Sequence, residues 1–117
     1  MSEFVPGQLL RIFVGEHDTW HGRRLYSAIV ELLRHEGVAG ASVFRGIEGF
    51  GAHNEIHVAR IFRVHGDLPI LIEVVDTEEV IAKLIPRIDE MVNEGAMTLE
   101  RVEYRRFLPS GEKSKQR

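Results

Sequence analysis

Arg45-Gly46-Ile47-Glu48-Gly49-Phe50-Gly51, followed by Ala52-His53-Asn54-Glu55-Ile56-His57, is the part of this chain whose residue types best suit a site. Three glycines fall within six residues of that stretch. Glycine lets a backbone take positive φ and come close to a ligand, which packing alone does not require. One reading is a nest of backbone N–H groups holding an anionic group such as a phosphate, with Arg45 beside it to neutralise the charge. The other is a wide hairpin turn whose glycines only allow the bend. The spacing is neither a phosphate-binding Walker loop nor a dinucleotide fingerprint. The candidate ligand-binding residues are therefore Arg45, Gly46, Gly49, Phe50 and Gly51.

Histidines offer a second chemistry. His53 and His57 lie four apart, and His65, His17 and His21 are further imidazoles. A pair at that spacing binds zinc when both residues share a helix face and a third ligand completes the site. The glycines before His53 oppose a stable helix there, and no His-Glu-x-x-His pattern is present. Solvated loop histidines are the expectation, with His53, His57 and His65 as the alternative metal set. A third cluster, Glu16-His17-Asp18-Thr19-Trp20-His21, could wall a ligand with Trp20 and hydrogen-bond it through Asp18 or Thr19, or could equally cap and pack the start of a helix. Arg23 and Arg24 at that helix start oppose its macrodipole, which points to partners elsewhere.

Composition removes other classes. With no cysteine among 117 residues, disulfides, thiolate nucleophiles and cysteine metal sites are excluded. No serine elbow and no acid–base carboxylate pair is apparent, so an enzyme is not expected. The net charge of −3, with both signs interspersed, lacks the electrostatic footprint of a nucleic-acid binder. Base-stacking aromatics are also absent from the strand-like run Ile70 to Val75. Residues 1–8 carry no basic, apolar leader, and no apolar run is long enough to span a bilayer. A cytoplasmic protein, not itself embedded in a membrane, is the expectation.

The elements that must position these residues follow from periodicity. Leu9 to Val14 reads as a first strand closed by Gly15, and Glu16 to Arg23 as a polar loop. Leu25, Ala28, Ile29, Leu32 and Leu33 recur at helical spacing up to Gly37, which takes the place of a helix-ending glycine. Ala41 to Arg45 is a second strand running into the glycine loop, and Val58 to Val64 alternates as a hairpin extension or a short helix. Asp67-Leu68-Pro69 marks a turn, and Ile70 to Val75 is the strongest strand. Asp76 and Glu79 have the spacing of a capping box before a helix that carries Val80, Ile81, Leu84, Ile85, Ile88, Met91 and Val92. Pro86 predicts a kink or break in it, and Gly95 its end. Met97 to Phe107 is a final extended segment.

The order is βαββαβ, an α+β, ferredoxin-like arrangement with two helices on one face of an antiparallel sheet. Residues 9–108 form one domain, preceded by an extension, 1–8, and followed by a basic tail, 109–117, expected to be disordered. In Leu71-Ile72 and Val74-Val75 adjacent apolar residues point to opposite sides of the strand, so both sheet faces are apolar and the uncovered one predicts oligomerisation.

Leu10-Arg11-Ile12-Phe13-Val14-Gly15-Glu16, Val43 to Gly51, and Asp67 to Asp76 together resemble a small bacterial and archaeal family, domain of unknown function 190, grouped with the PII signalling proteins. The resemblance runs from about Leu9 to Val102 and implies a ferredoxin-like subunit assembled as a homotrimer. PII proteins bind adenine nucleotides between subunits near the base of a long loop and touch a transporter or enzyme with that loop. Gly49-Phe50-Gly51 matches the Gly-Phe-Gly at that base. The likeness ends at Ala52, no loop tyrosine follows, and Arg105 and Arg106 match the basic phosphate clamp only loosely.

Three functions follow. The first is a trimeric sensor of an anionic metabolite, with an adenine nucleotide as the candidate ligand, that signals through the loop Ile47 to His57 to a protein partner. The family's neighbouring fluoride-channel genes imply a membrane transport protein as that partner. The second is a divalent-metal module using the loop histidines. The third is an interaction protein with no ligand.

Overall fold

The computed structural model describes residues 3–51, 57–58 and 67–108. Strand β1 spans Val5–Gly15, and it is followed by two short strands, β2 (Thr19–Trp20) and β3 (Arg23–Arg24), before helix α1 (Leu25–His35). Then come β4 (Ser42–Arg45), β5 (Glu48–Gly49), β6 (His57–Val58), β7 (Pro69–Asp76), α2 (Glu78–Asp89) and β8 (Ala96–Tyr104). The four long strands form one antiparallel sheet in the order β4-β7-β1-β8. β1 and β4 run parallel with β7 between them, which is the split βαβ arrangement expected from the sequence.

Alternation decides the faces. Leu10, Ile12 and Val14 of β1 and Ile70, Ile72 and Val74 of β7 are buried beneath Leu25, Ala28, Ile29 and Leu33 of α1 and Ile81, Leu84 and Ile88 of α2. Both helices therefore lie on one side. The opposite face carries Leu9, Phe13, Leu71, Val75 and Phe44, with no helix over it among the described residues. It is not uniformly apolar. Arg11 in its middle donates from Nε to Glu73 at 2.9 Å and from Nη1 to Glu100 at 2.7 Å. The hydrogen bond to Glu73, then that to Glu100, raises the Arg11 pKa above its ordinary value, so the guanidinium is a permanent charge on this face.

Several boundaries differ from the sequence reading. β1 begins at Val5, so residues 5–8, expected in an extension, belong to the sheet: Gly7 is buried because the Tyr104 ring lies over its Cα. The final strand runs from Ala96 to Tyr104 and stops before Phe107. Of the expected hairpin extension, only Val58 falls within the described residues, as part of β6, which pairs with β5. Pro86 sits inside α2 without ending it, and the helix continues to Asp89.

The helix ends have separate causes. Gly37 has φ +83°, its N–H donates to Arg34 O at 3.1 Å, and Val38 N–H donates to Leu33 O at 3.3 Å, the paired bonds of a Schellman stop. Arg24 starts α1 without a side-chain cap; Leu25 N–H instead donates to Asp18 O at 2.8 Å. The polar loop before it thus contains a hairpin, turned at His21 (φ 50°) and Gly22 (φ 80°), a two-residue turn with both φ values positive.

At α2 the expected capping box is shifted by one residue. Thr77 is the N-cap, and its Oγ1 accepts from Val80 N–H at 3.3 Å. Asp76 is instead the buried end of β7, accepting from Thr77 N–H at 2.7 Å and Ala39 N–H at 3.2 Å. Thr77→Ala should lower stability by about 1 kcal/mol, since it removes one side-chain cap and little else. A urea titration that leaves the midpoint unmoved would show that Asp76 alone fixes this helix start.

Candidate ligand-binding site

The register brings four chain segments to one end of the sheet. Gly15 closes β1 opposite Pro69, Arg45 closes β4 opposite Ile70, and Ala96 opens β8 opposite Phe13. The glycine loop leaves from this end, beyond the edge strand β4.

Arg45 is anchored rather than free. Its Nε donates to Glu16 Oε2 at 2.8 Å and its Nη2 to Glu16 Oε1 at 3.4 Å, a fork-on-carboxylate geometry. The Arg45 side chain is 48 % exposed and the Glu16 side chain only 17 %. Glu16 is itself fixed: its N–H donates to Leu68 O at 2.8 Å, and its carbonyl accepts from Arg24 Nη1 at 3.1 Å. Arg24 thereby has the partner its place at the helix start calls for. On either side of Glu16 the turn is pinned again, by Gly15 N–H on Asp18 Oδ2 at 2.9 Å and His17 N–H on Asp67 Oδ1 at 2.7 Å.

The glycines serve close approach, not left-handed backbone. Positive φ among the described glycines occurs at Gly22, Gly37 and Gly95, and at none of Gly46, Gly49 and Gly51. An N–H nest that alternates right- and left-handed residues is therefore not formed by these three. Gly46 N–H extends the ladder by donating to Pro69 O at 2.7 Å. A Cβ on Gly46 would stand 2.6 Å from Pro69 Cγ, and one on Gly49 2.9 Å from the same atom. The Pro69 ring is what these two glycines accommodate. Gly51 has open space around it, and Ile47 and Phe50 are 78 % and 67 % exposed. Arg45, Gly46 and Gly49 are thus brought together at the loop base, while Phe50 and Gly51 project away from it.

The histidine set falls largely outside the described residues: His53 and His65 lie there, and of His57 only the backbone in β6 is described. Among the described residues no group of three or more His, Asp or Glu side chains has metal-binding geometry. His17 Nδ1 lies 3.7 Å from Asp67 Oδ1, and His21 stacks on Trp20 with centroids 3.9 Å apart. Among the described residues no helix is long and apolar enough to cross a membrane.

Sequence reasoning misses two features. It places Glu16 only in a polar loop, and the residue's one forewarning is its position directly after the strand-closing Gly15. The second is a cavity of about 680 Å³ at the opposite end of the sheet, lined by Pro6, Gly7, Gln8, Thr77, Glu78, Glu79, Arg101, Val102 and Glu103. It lies far along β1 and β7 from Arg45, and its lining carries three carboxylates against one guanidinium. That balance disfavours an anion, so the loop end remains the better candidate for one.

A family model described as "Uncharacterized ACR, COG1993", domain of unknown function 190, matches residues 7–104. The chain belongs to this family. A UPF0166 protein of Aquifex aeolicus (strain VF5) is 37 % identical over 99 residues, covering 85 % of this chain and 93 % of the relative. The UPF0166 protein MJ1524 of Methanocaldococcus jannaschii is 33 % identical over 95 residues, covering 81 % and 87 %. Among solved structures, the fold of this family member is similar to CPII, a nitrogen regulatory PII-like protein from Thiomonas intermedia K12 bound to ADP, AMP and bicarbonate. The TM-score is 0.63 at 19 % identity, over 88 % of this chain and 92 % of that one. It is also similar to a PII-like signalling protein from Thermus thermophilus, with a TM-score of 0.61 at 21 % identity over 88 % and 93 %. The family member thus has the PII-like, ferredoxin-like fold read from its sequence.

Proposed function

We propose that this protein is a PII-like regulatory sensor, a binding protein rather than a catalyst, that holds an adenine nucleotide or a similar anionic metabolite in the cleft between subunits of a homotrimer. The observation that carries the reading is the loop base. A half-exposed guanidinium at Arg45 and a loop anchored on Pro69 sit at one end of a fold shared with CPII, whose structure holds ADP and AMP. The uncovered sheet face supports assembly, because Leu9, Phe13, Leu71, Val75 and Phe44 form an apolar surface that a closed ring of subunits would remove from water. Ile47 and Phe50, exposed just past the anchored base, suit contact with a protein partner, for which a membrane transport protein is our candidate.

The logic of signalling is a population shift. A ligand that contacts Arg45 in only one arrangement of the loop favours that arrangement, and the partner reads the loop. Calorimetric titration with ATP, ADP and AMP should give saturable binding, and Arg45→Ala should weaken it about 10- to 100-fold, the worth of a hydrogen-bonded charge on a phosphate. Nucleotide binding that Arg45→Ala leaves unchanged would place the site elsewhere, and no binding of any of the three would remove nucleotides from the proposal.

A further inference from the structure

Glu16 and Arg45 are unequal partners in their ion pair. Glu16 sits on the rigid turn after β1, its N–H and carbonyl both bonded and its side chain mostly covered. Arg45 is the last residue of a four-residue edge strand, immediately before the loop, and its side chain is far more exposed. The carboxylate offers two oxygens to the guanidinium fork, the same arrangement of acceptors that a phosphate would offer. One guanidinium cannot present that fork to both at once. We propose that Glu16 is a built-in competitor of the ligand: its carboxylate occupies Arg45 in the ligand-free protein and is exchanged for an anionic group of the ligand on binding. This rests on the reading of Arg45 as the ligand's cationic contact and adds to it the element that sets the affinity and couples it to the loop.

The exchange has consequences a purely structural ion pair lacks. Holding Arg45 against the β1–β2 turn reduces the fraction of protein in which the fork is available, and apparent affinity falls by that fraction. Releasing Arg45 frees the end of β4, so the next residues, Gly46 to Gly49, lose one of their ties to the frame while the Gly46 bond to Pro69 remains. Ligand charge and loop release are thereby linked through a single side chain.

Glu16→Gln keeps the shape and one acceptor oxygen but removes the competing charge. Titration of the full-length protein with ADP and with pyrophosphate as probes should show Glu16→Gln binding about two- to fivefold tighter than the unaltered protein, the range of a partly exposed ion pair. Adenosine, which has no anionic group, should gain nothing, and the gain should vanish when Arg45→Ala is added. A structural role predicts the reverse, with Glu16→Gln binding equally or more weakly, and either result overturns the inference. If pyrophosphate shows the gain while ADP does not bind, the nucleotide reading fails and the competitor stands. If neither probe binds the unaltered protein or Glu16→Gln, both are overturned.

Discussion

Gly95→Ala should cost about 3 kcal/mol or more, lowering the thermal midpoint by roughly 10 °C for a chain of this size. Two effects add. Gly95 has φ +149°, a region that is nearly glycine's alone, and leaving it would re-aim the entry to β8. A Cβ at this position would also collide with the Phe13 carbonyl oxygen, a backbone atom of the central strand that cannot swing aside as a long side chain would. Because Ala96 pairs with Phe13, the collision falls at the first rung of the β1–β8 ladder. Differential scanning of the variant beside Gly40→Ala, where a Cβ meets open space, separates this strain from a general effect of replacing glycine. A fall no larger than that of the control would mean that β8 can start elsewhere without loss.

Ile72→Ala and Leu71→Ala form the second test, and their contrast matters more than either value. Ile72 is fully buried in the middle of β7, between the sheet and the helices, and its truncation should cost about 3 kcal/mol, in the range of buried Ile-to-Ala changes. Leu71 is its neighbour on the opposite face and is only half-buried within one subunit. In an isolated subunit Leu71→Ala should cost under about 1 kcal/mol, since little apolar surface is lost from a packed site. In an assembly closed over that face the cost grows, and the unfolding midpoint depends on protein concentration, because subunit association then contributes to stability. Chemical denaturation at two protein concentrations distinguishes the cases. A small, concentration-independent loss for Leu71→Ala would end the proposal that this face is covered.

Much of the frame is legible in the sequence because its causes are local or periodic. Alternation in β1 and β7, helical spacing from Leu25 to Leu33, and the stop at Gly37 each lie within a few residues and lead to the observed topology. The errors fall where a distant residue decides. Asp76 has the spacing of a helix cap, but it is buried and also binds the amide of Ala39, leaving Thr77 to cap. The loop glycines have the look of a backward bend, yet what constrains Gly46 and Gly49 is the ring of Pro69, well beyond them along the chain. Nothing near Glu16 announces Arg45, because the pair spans 29 positions and is formed only when β1 and β4 end on the same side of the sheet. The site is therefore readable as a stretch of sequence, and its anchoring is not.

Trp20 is the only indole in the chain, and it lies almost flat on His21, at 13°, in the hairpin that follows the Glu16 turn. The guanidinium of Arg24, next to Trp20's strand partner Arg23, holds the Glu16 carbonyl. The molecule thus carries a single intrinsic indole fluorophore, stacked on a potential quencher, a few residues from the proposed point of exchange. Its emission can be followed without attaching any dye, and excitation to the red of the tyrosines isolates it from the rest of the protein.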